Sequence, residues 1–298
     1  VTQPTPLALP DGNMLVVEPL VRSANGRRLG LVDFDPCTIL LNNDLSSGIP
    51  SILENIHEQS LLPPVHAGWA LRRKSNHLKA FDEVAKKFGK LIDIDPWLVN
   101  PLHAKVSEVD LEHDQGTEEL ADAVSSLLSK IKKKYKEYGM KEQKPFVIVK
   151  PDAGTYGMGI MTIKDASEVR DLSLKQRARM SVVKDGLAVT DLIVQEGVPT
   201  FEKIDDAVAE PVVYMIDRYV VGGFYRVHGE RGIDQNLNAP GSQYVPLAFA
   251  QQHAVPDLKA KPGTAAPNRF YVYGVVARLG LLAASLEMER TDPNPEVY

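Results

Sequence analysis

Residues 146–160 read FVIVKPDAGTYGMGI and are the stretch that decides the fold. The first five residues form an apolar run with β-branched positions that ends at Lys150, which is typical of a buried strand that opens onto a polar site. Pro151 then leads into a loop with glycines at 154, 157 and 159. Such glycines expose backbone N–H groups and allow close approach to a ligand, so the loop can wrap the phosphates of a nucleotide. Lys150 would place its ammonium group on those phosphates.

An ordinary glycine-rich turn after a strand is the alternative interpretation of this stretch, and it is the better one for a glycine loop taken alone. Two observations favour a phosphate site instead. The spacing matches neither GxxxxGK[ST] nor GxGxxG, and a lysine stands directly before the loop. The sequence therefore predicts a nucleotide loop of a different type.

Composition limits the kind of protein that this loop can serve. The chain has 298 residues, of which 44% are apolar, so it is long enough for one large or two to three smaller hydrophobic cores. Its formal net charge of −5 and its pI near 5.9 argue against a nucleic-acid-binding protein, because no face is obliged to be basic. The sequence predicts a multi-lobed protein with a small-molecule site.

Compartment is predicted from what the sequence lacks. Cys37 is the single cysteine and cannot form a disulfide within the chain, which suits a reducing compartment. Apolar runs stay well below the roughly 18 residues of a membrane span. The first residues lack the basic region of a signal peptide. We expect a cytoplasmic protein without a membrane partner, and the sequence leaves open whether it forms a homo-oligomer.

The first part of the chain is predicted to be an α/β lobe. Residues 14–21, 29–34 and 39–41 have the composition of strands. The segment 44–64 contains SILENIHEQSLL, whose apolar positions approach helical spacing. Alternation of strands with a helix favours the α/β class.

Two amphipathic helices and a strand are predicted in the central part. An apolar stripe with Gly89 at the stop position predicts a helix over 75–89. The longest helical pattern covers 117–138 and ends in lysines followed by Gly139, both favourable at a helix C-terminus. The residues LIVQEGV, 192–198, predict a strand.

The last part of the chain is predicted to contain a hairpin, a turn-rich segment and a buried helix. Alternation in 212–227 predicts the hairpin, which ends near Arg226. Asn236 and Asn238 follow in a turn-rich segment, where asparagine is common for local reasons but could also contact phosphate. Residues 270–286 are apolar on nearly every side and predict a buried helix, after which Glu287 and Glu289 are either chain-end surface residues or ligands of a hard cation.

Several of these segments together resemble a known family. The order of Lys74, KPDAGTYGMGI, LIVQEGV, Arg226, NLNAPGS and an apolar helix ending in a carboxylate is similar to the ATP-grasp carboxylate–amine ligases. From about residue 38 onward, the sequence resembles the ATP-grasp type of bacterial glutamate–cysteine ligase. The resemblance is specific in three segments: ILLNNDLSSGIPSIL, KPDAGTYGMGIMT and NLNAPGSQYVPLAF. The resemblance implies an α/β (α+β) protein with an N-terminal pre-grasp lobe over 1–73, a central region over 74–198 with a lid subdomain at about 140–198, and a C-terminal grasp subdomain over 199–298.

The resemblance also implies a function and its cofactors. It implies that ATP with Mg²⁺ activates the γ-carboxylate of glutamate as an acyl phosphate, which the amine of cysteine then attacks. Arg226 would stabilise the transferred phosphate and Asn236 would lie beside the γ-phosphate. The nucleotide would be held by lysines, by the loop and by the strand that receives the adenine edge: Lys74, Lys150, Gly154, Thr155, Tyr156, Gly157, Met158, Gly159, Gln195, Glu196 and Val198.

The predicted metal site departs from the family pattern. Glu287 falls where the family has a carboxylate on magnesium, but no Glu-x-Asn follows it, and Glu289 is only a local substitute. The second metal ligand therefore stays open. Glutathione synthetase, another ATP-grasp amino-acid ligase, a non-catalytic nucleotide-binding protein and a protein whose loop binds nothing remain the alternatives.

The residues that bind the amino acids are predicted from charge alone. Arg72, Arg73, Asn42, Asn43 and Asp44 are polar or charged and belong to the lobe expected to face the nucleotide, so one arginine could hold a substrate carboxylate. His66 and His77 are assigned no chemistry, since histidines at such positions are more often ordinary turn or helix residues.

Overall fold

A computed structural model describes residues 1–154, 159–181, 189–247 and 269–293. The chain divides into two compact units, Val1–Arg72 and Arg73–Tyr298. Helices and strands occur together, so the predicted mixed α/β class is confirmed. Each unit is described by itself below.

The first unit consists of short strands around a small core. Leu29, Leu45 and Leu53 are its buried apolar residues. Strands β1 and β2 pair antiparallel, as do β3 and β4, whereas β5 and β6 pair in parallel. In chain order the strands are β1 Thr5–Ala8, β2 Met14–Val17, β3 Val21–Arg22, β4 Leu29–Gly30, β5 Thr38–Leu40 and β6 Ser60–Leu62.

The helix predicted within 44–64 is wrong. That segment instead contains one 3₁₀ turn, Ser51–Leu53, and strand β6. Gly48 and Asn55 both have positive φ, 102° and 58°, which no α-helix permits. Pro50 lies immediately before the 3₁₀ turn and disfavours helical backbone at the residue that precedes it. Residues 1–72 therefore lack the α-helix on which the prediction of an α/β lobe rested.

The second unit contains two four-stranded sheets and all the α-helices of the described chain. One sheet has the order β7-β10-β8-β9 and the other β11-β12-β13-β14. Its elements are α1 Lys74–Ile92, β7 His103–Val106, α2 Thr117–Glu137, β8 Val147–Pro151, β9 Met161–Ile163, α3 Ser167–Arg170, α4 Leu174–Ser181, β10 Leu192–Glu196, β11 Lys203–Ile204, β12 Ala207–Ile216, β13 Tyr219–His228, β14 Gln243–Pro246 and α5 Arg269–Thr291.

The first sheet buries one face against α2. Val147, Val149 and Val194 alternate along β8 and β10 and pack with Leu120 and Ile131 of α2 in the largest core cluster. Because side chains alternate across a strand, the residues between them lie on the opposite face. That face carries Lys150, so the sheet fixes the direction of the predicted phosphate lysine.

The second sheet is an antiparallel meander that includes the predicted hairpin. Strands β12 and β13 reverse at Asp217, whose φ of 51° accommodates the tight turn. Arg226 on β13 lies directly opposite Glu210 on β12 and Tyr244 on β14. The hairpin prediction is confirmed, and Arg226 is in the middle of a sheet.

Helix α5 packs against α1, but the prediction that it is buried nearly all round is wrong. Leu279 and Ala283 are buried with Ala80 and Val84 of α1. Residues on its other faces are exposed, among them Val272 at 53% and Leu282 at 56%. By length and composition alone, Phe270–Thr291 is also the one described helix that could cross a membrane, with a mean hydropathy of 1.3, a test that core helices of globular proteins pass as well.

Candidate functional site

Lys74 begins α1 and points its ammonium group at the glycine loop. Its Nζ donates to the carbonyl oxygens of Pro151, Ala153 and Gly154 at 2.8–2.9 Å. Burial lowers the pKa of Lys74 to about 8, and the positive charge of Lys150 acts in the same direction. Lys74 is thus a cation that the fold holds in a partly desolvated position beside the loop.

Lys150 lies at the end of β8 and is held by the neighbouring strand. Its Nζ donates to Oε1 of Gln195 at 2.5 Å. Burial lowers the pKa of its ammonium group. Two desolvated ammonium groups that raise each other's electrostatic energy would be stabilised by an anion between them. The structure thus brings Lys74 and Lys150 near each other, and their binding of phosphate stays a prediction.

Asp152 joins the loop to α1 and was missed by sequence reasoning. Its side chain is 1% exposed and accepts from the backbone N–H and the hydroxyl of Ser75, both at 2.7 Å. Lys105 lies 3.4 Å from the same carboxylate. Because the N-cap residue Arg73 supplies no side-chain cap, Asp152 satisfies the start of α1 from a distant segment. A lone aspartate after a proline carries no sequence signal for this role.

The described glycines of the loop have left-handed backbone. Gly154 and Gly159 have φ of 81° and 67°. A methyl group on Gly159 would lie 3.0 Å from Cγ of Pro151, so the loop passes close to its own strand at this point. Four predicted loop residues, Thr155, Tyr156, Gly157 and Met158, lie outside the described residues.

The strand predicted to receive the adenine edge has its side chains on two different faces. Gln195 lies on the face of Lys150. Glu196 points into the core, where it accepts from Trp97 Nε1 at 2.9 Å and from the backbone N–H of Leu102 at 2.9 Å. Burial raises the pKa of Glu196, and these two hydrogen bonds oppose the rise. Its side chain is therefore not available to a nucleotide, and its backbone N–H donates to the carbonyl of Leu102 at 2.7 Å. Val198, 67% exposed, follows the end of the strand.

Gly159 and Asn236 line one cavity of about 460 Å³. Asn236 shapes its own turn by accepting from the N–H of Asn238 at 3.0 Å, and the next residue, Leu237, is fully buried. Thr162 on β9 donates to the carbonyl of Asp234 at 3.0 Å, and Lys164 pairs with the carboxylate of Asp234 at 2.6 Å. These two contacts tie the turn to the sheet that carries the loop.

Arg226 has one of its nitrogen atoms occupied and another without a partner. Its Nη1 donates to Glu210 at 2.6 Å across the β12–β13 pair. Its Nε is buried and has no hydrogen-bond partner among the described residues. A buried guanidinium N–H without an acceptor is unfavourable, so an acceptor supplied by a ligand would stabilise Arg226.

Glu287 and Glu289 differ in direction and in burial, and their role as metal ligands stays a prediction. Helix α5 continues to Thr291 rather than ending near 286, so residues two apart point in different directions. Glu287 is 1% exposed and lies 2.9 Å from Nδ1 of His77, a residue that received no chemical role from the sequence, while Glu289 is exposed. Within the described part of the chain, no three metal-ligating side chains cluster together.

Of the polar residues predicted for the amino-acid substrates, Asn43, Asp44 and Arg72 have local contacts within the first unit, whereas Arg73 begins the second unit. Asn43 accepts from the N–H of Leu45 at 2.8 Å and Asp44 from that of Ser46 at 3.0 Å, as in Asx turns. The guanidinium of Arg72 lies 5.3 Å from the ring centre of Trp69. Asn42 and Arg73 complete the predicted set. Its role in substrate binding stays a prediction.

The chain was compared with protein families and with solved structures. The sequence matches the glutamate-cysteine ligase family (GshA) over residues 1–288. A crystal structure from Methylobacillus flagellatus KT, described as a candidate gamma-glutamylcysteine synthetase, is 60% identical, with a TM-score of 0.83 over 98% of this chain and 68% of that chain.

A second solved structure is far less similar. The D-cycloserine synthetase DcsG has 16% identity and a TM-score of 0.38 over 81% of this chain and 60% of its own, which is too low to bear on fold or function. The comparison with curated proteins found no match. The match over residues 1–288 and the structure at 60% identity confirm the resemblance seen in the sequence, and the chain belongs to the glutamate-cysteine ligase family.

Proposed function

We propose that this protein forms γ-glutamylcysteine from L-glutamate and L-cysteine with ATP as the energy source, in an ATP-grasp fold. The family match over residues 1–288 carries the proposal. The two lysines and the glycine loop support it, because they form a cationic site of the kind that a polyphosphate needs.

The phosphates are proposed to bind between Lys74, Lys150 and the backbone of the loop. Lys74 donates to loop carbonyls, and Lys150 donates to Gln195. Both ammonium groups have a lowered pKa because they are partly removed from water. An anion between them would stabilise the charged form of both ammonium groups. The phosphates are therefore the part of ATP that this site should bind most strongly.

The reaction itself is proposed to be carboxylate activation. A γ-carboxylate oxygen of glutamate would attack the γ-phosphorus, and the bond to ADP would break. The cysteine amine would then attack the acyl carbon, phosphate would leave, and the amine would lose a proton. The protein's part is mostly positioning and charge stabilisation. Arg226, whose Nε has no partner among the described residues, and Asn236 are the proposed residues.

The magnesium ion is proposed to depend mainly on phosphate oxygens. Mg²⁺ is commonly held by about one or two carboxylates together with substrate phosphates. Glu287 is the proposed carboxylate; it is buried against His77, and the described residues contain no group of three or more His, Cys, Asp or Glu side chains that could hold a metal ion. No step of the reaction is therefore assigned to particular metal ligands.

The compartment is proposed to be the cytoplasm. ATP and cysteine in its thiol form occur together in reducing compartments, where intracellular thiols are kept reduced. Detection of the native protein in the cytoplasmic fraction of its cells would support this assignment, and detection outside that fraction would contradict it.

An ADP-release assay with a panel of amino acids tests the proposed function. We expect ADP and phosphate to appear when glutamate and cysteine are both present with Mg-ATP, and γ-glutamylcysteine to form in equal amount. ADP release with γ-glutamylcysteine plus glycine would instead indicate glutathione synthetase activity. A thermal shift with Mg-ATP but no ADP with any amino acid would indicate a protein that binds nucleotide without turnover.

A further inference from the structure

The cavity beside Gly159 is positively charged, and neither of its charged residues has an assigned role. Among the residues that line it, only Arg179 of α4 and Arg231 of the turn after β13 carry a formal charge. Both side chains are exposed. A concave site of about 460 Å³ falls within the roughly 300–1,000 Å³ that small ligands commonly occupy.

These two arginines also differ from their neighbours in the sequence. Arg170 donates to Glu118 at 2.8 Å, and Arg177 pairs with Asp114. Arg226 pairs with Glu210. Arg179 and Arg231 make no ion pair or side-chain hydrogen bond within residues 1–154, 159–181, 189–247 and 269–293. The described fold thus leaves two cations free where a ligand can reach them.

The turn that carries Arg231 is held in place by several contacts. Gln235 accepts from the N–H of Gly232 at 2.9 Å, and the N–H of Thr200 donates to the carbonyl of Ile233 at 2.8 Å. Asp234 is tied to β9 through Thr162 and Lys164. Arg231 therefore extends from a braced backbone, which favours a defined binding geometry.

We propose that Arg179 and Arg231 form the glutamate subsite and bind the α-carboxylate of glutamate. The inference rests on the proposed function, in which glutamate is the second anion beside the nucleotide. The phosphates already have two cationic partners, Lys74 and Lys150, near Gly154. The planar guanidinium of arginine matches a carboxylate with two parallel hydrogen bonds. Holding the α-carboxylate in this cavity leaves the γ-carboxylate beside Asn236, the residue proposed for the γ-phosphate.

Steady-state kinetics of Arg231→Ala and Arg179→Ala test the subsite. Losing a hydrogen-bonded charge should raise the KM for glutamate by roughly 10- to 100-fold and leave the KM for ATP within about twofold. Arg231→Lys should fall between wild type and Arg231→Ala, because an ammonium group keeps the charge but not the paired geometry. Arg170→Ala is the matched control, since it removes an arginine whose carboxylate partner, Glu118, lies outside the cavity lining.

A substrate analogue tests which carboxylate is bound. L-Isoglutamine has an amide in place of the α-carboxylate but keeps the γ-carboxylate. The wild type should prefer glutamate over isoglutamine by roughly 10- to 100-fold, and Arg231→Ala should lose most of that preference. An unchanged preference in the variant would overturn the proposal, as would an increase in the KM for ATP as large as that for glutamate.

Direct binding separates the subsite from the proposed reaction. Equilibrium dialysis with radiolabelled glutamate and Mg-ADP, without cysteine, should show binding to wild type and to Arg170→Ala and greatly weakened binding to Arg231→Ala. If wild type forms no γ-glutamylcysteine, the proposed function fails, whatever the dialysis shows. If glutamate binds equally to all three proteins, the subsite fails even where the reaction is confirmed.

Discussion

The two ends of the glycine loop carry different kinds of cation. Near Gly154, the ammonium groups of Lys74 and Lys150 are partly buried and bonded to backbone carbonyls and to Gln195. Near Gly159, Arg179 and Arg231 are exposed and make no side-chain bond to the described residues. Compact, desolvated ammonium groups suit the concentrated charge of phosphates, whereas exposed guanidinium groups suit a carboxylate that enters from water. This difference is the basis on which we propose two separate anion sites.

Lys150→Met should have the largest effect, because it removes a buried cation from the proposed phosphate site. We expect kcat/KM for ATP to fall by roughly 100-fold or more, as for other fixed charge-stabilising groups. ADP release in the presence of glutamate and cysteine measures the effect. Lys175→Met is the control, since Lys175 is an exposed lysine of α4. Activity of Lys150→Met within threefold of wild type would contradict the proposed role of Lys150 in binding the phosphates of ATP.

Asp152→Ala should lower the stability of the protein. It leaves the start of α1 without its cap and Lys105 with only Asp191, so the free energy of unfolding should fall by about 2 kcal/mol. Ser75→Ala removes one hydroxyl donor to the same carboxylate and should cost about 1 kcal/mol. Urea unfolding followed by circular dichroism measures both. Equal stability of wild type and Asp152→Ala would refute the capping role.

Gly159→Ala tests how closely the loop passes its own strand. Its φ of 67° costs an alanine about 1 kcal/mol, and the new methyl group would also press on the ring of Pro151. Gly139→Ala is a matched comparison, because Gly139 has a φ of 70° and open space around the added carbon. Thermal unfolding should therefore show a larger loss for Gly159→Ala. An equal loss of thermal stability in the two variants would mean that Pro151 moves away from the added methyl group at no energetic cost.

The smallest expected effect is proton uptake on ATP binding. The pKa of Lys74 is lowered to about 8, so near pH 8 about half of its ammonium groups lack the proton in the free protein. Phosphates would raise that pKa, and binding should therefore take up a fraction of a proton near pH 8 and almost none at pH 6.5. Calorimetry in buffers of different ionisation enthalpy measures the uptake. Lys74→Arg should reduce it, and an unchanged uptake would exclude Lys74 as its source.

The same lowered pKa has a consequence for the free protein. Between about pH 8 and the ordinary lysine range, the unfolded chain binds more protons at Lys74 than the folded chain does. The contribution of Lys74 to the free energy of unfolding therefore rises as pH increases through that window.

Local patterns were predictable from the sequence, and long-range partners were not. Helix α2 and strand β8 follow from strong periodicity, which depends only on neighbouring residues. The same periodicity misled in 44–64, where Gly48 and Asn55 require left-handed backbone. The link from Asp152 to Ser75 spans 77 residues, so no local signal contains it.

The sequence predicted the two lysines of the candidate site. It did not predict Arg179, Arg231 or the partner of His77. The motif around Lys150 and the resemblance predicted both lysines, whose binding of phosphate stays a prediction. Arg179 and Arg231 were not predicted, because neither belongs to a sequence motif. Only the folded chain brings them to one cavity. His77 likewise gained a partner only when α1 packed against α5.

The most direct test of two separate anion sites is a crossed measurement on Lys150→Met and Arg231→Ala. For each variant, the dissociation constants of ATP and of glutamate are measured by calorimetry, the latter with Mg-ADP present. We predict that Lys150→Met weakens ATP and spares glutamate, whereas Arg231→Ala weakens glutamate and spares ATP. Parallel weakening of both ligands by both variants would contradict the account and indicate a single shared anion site.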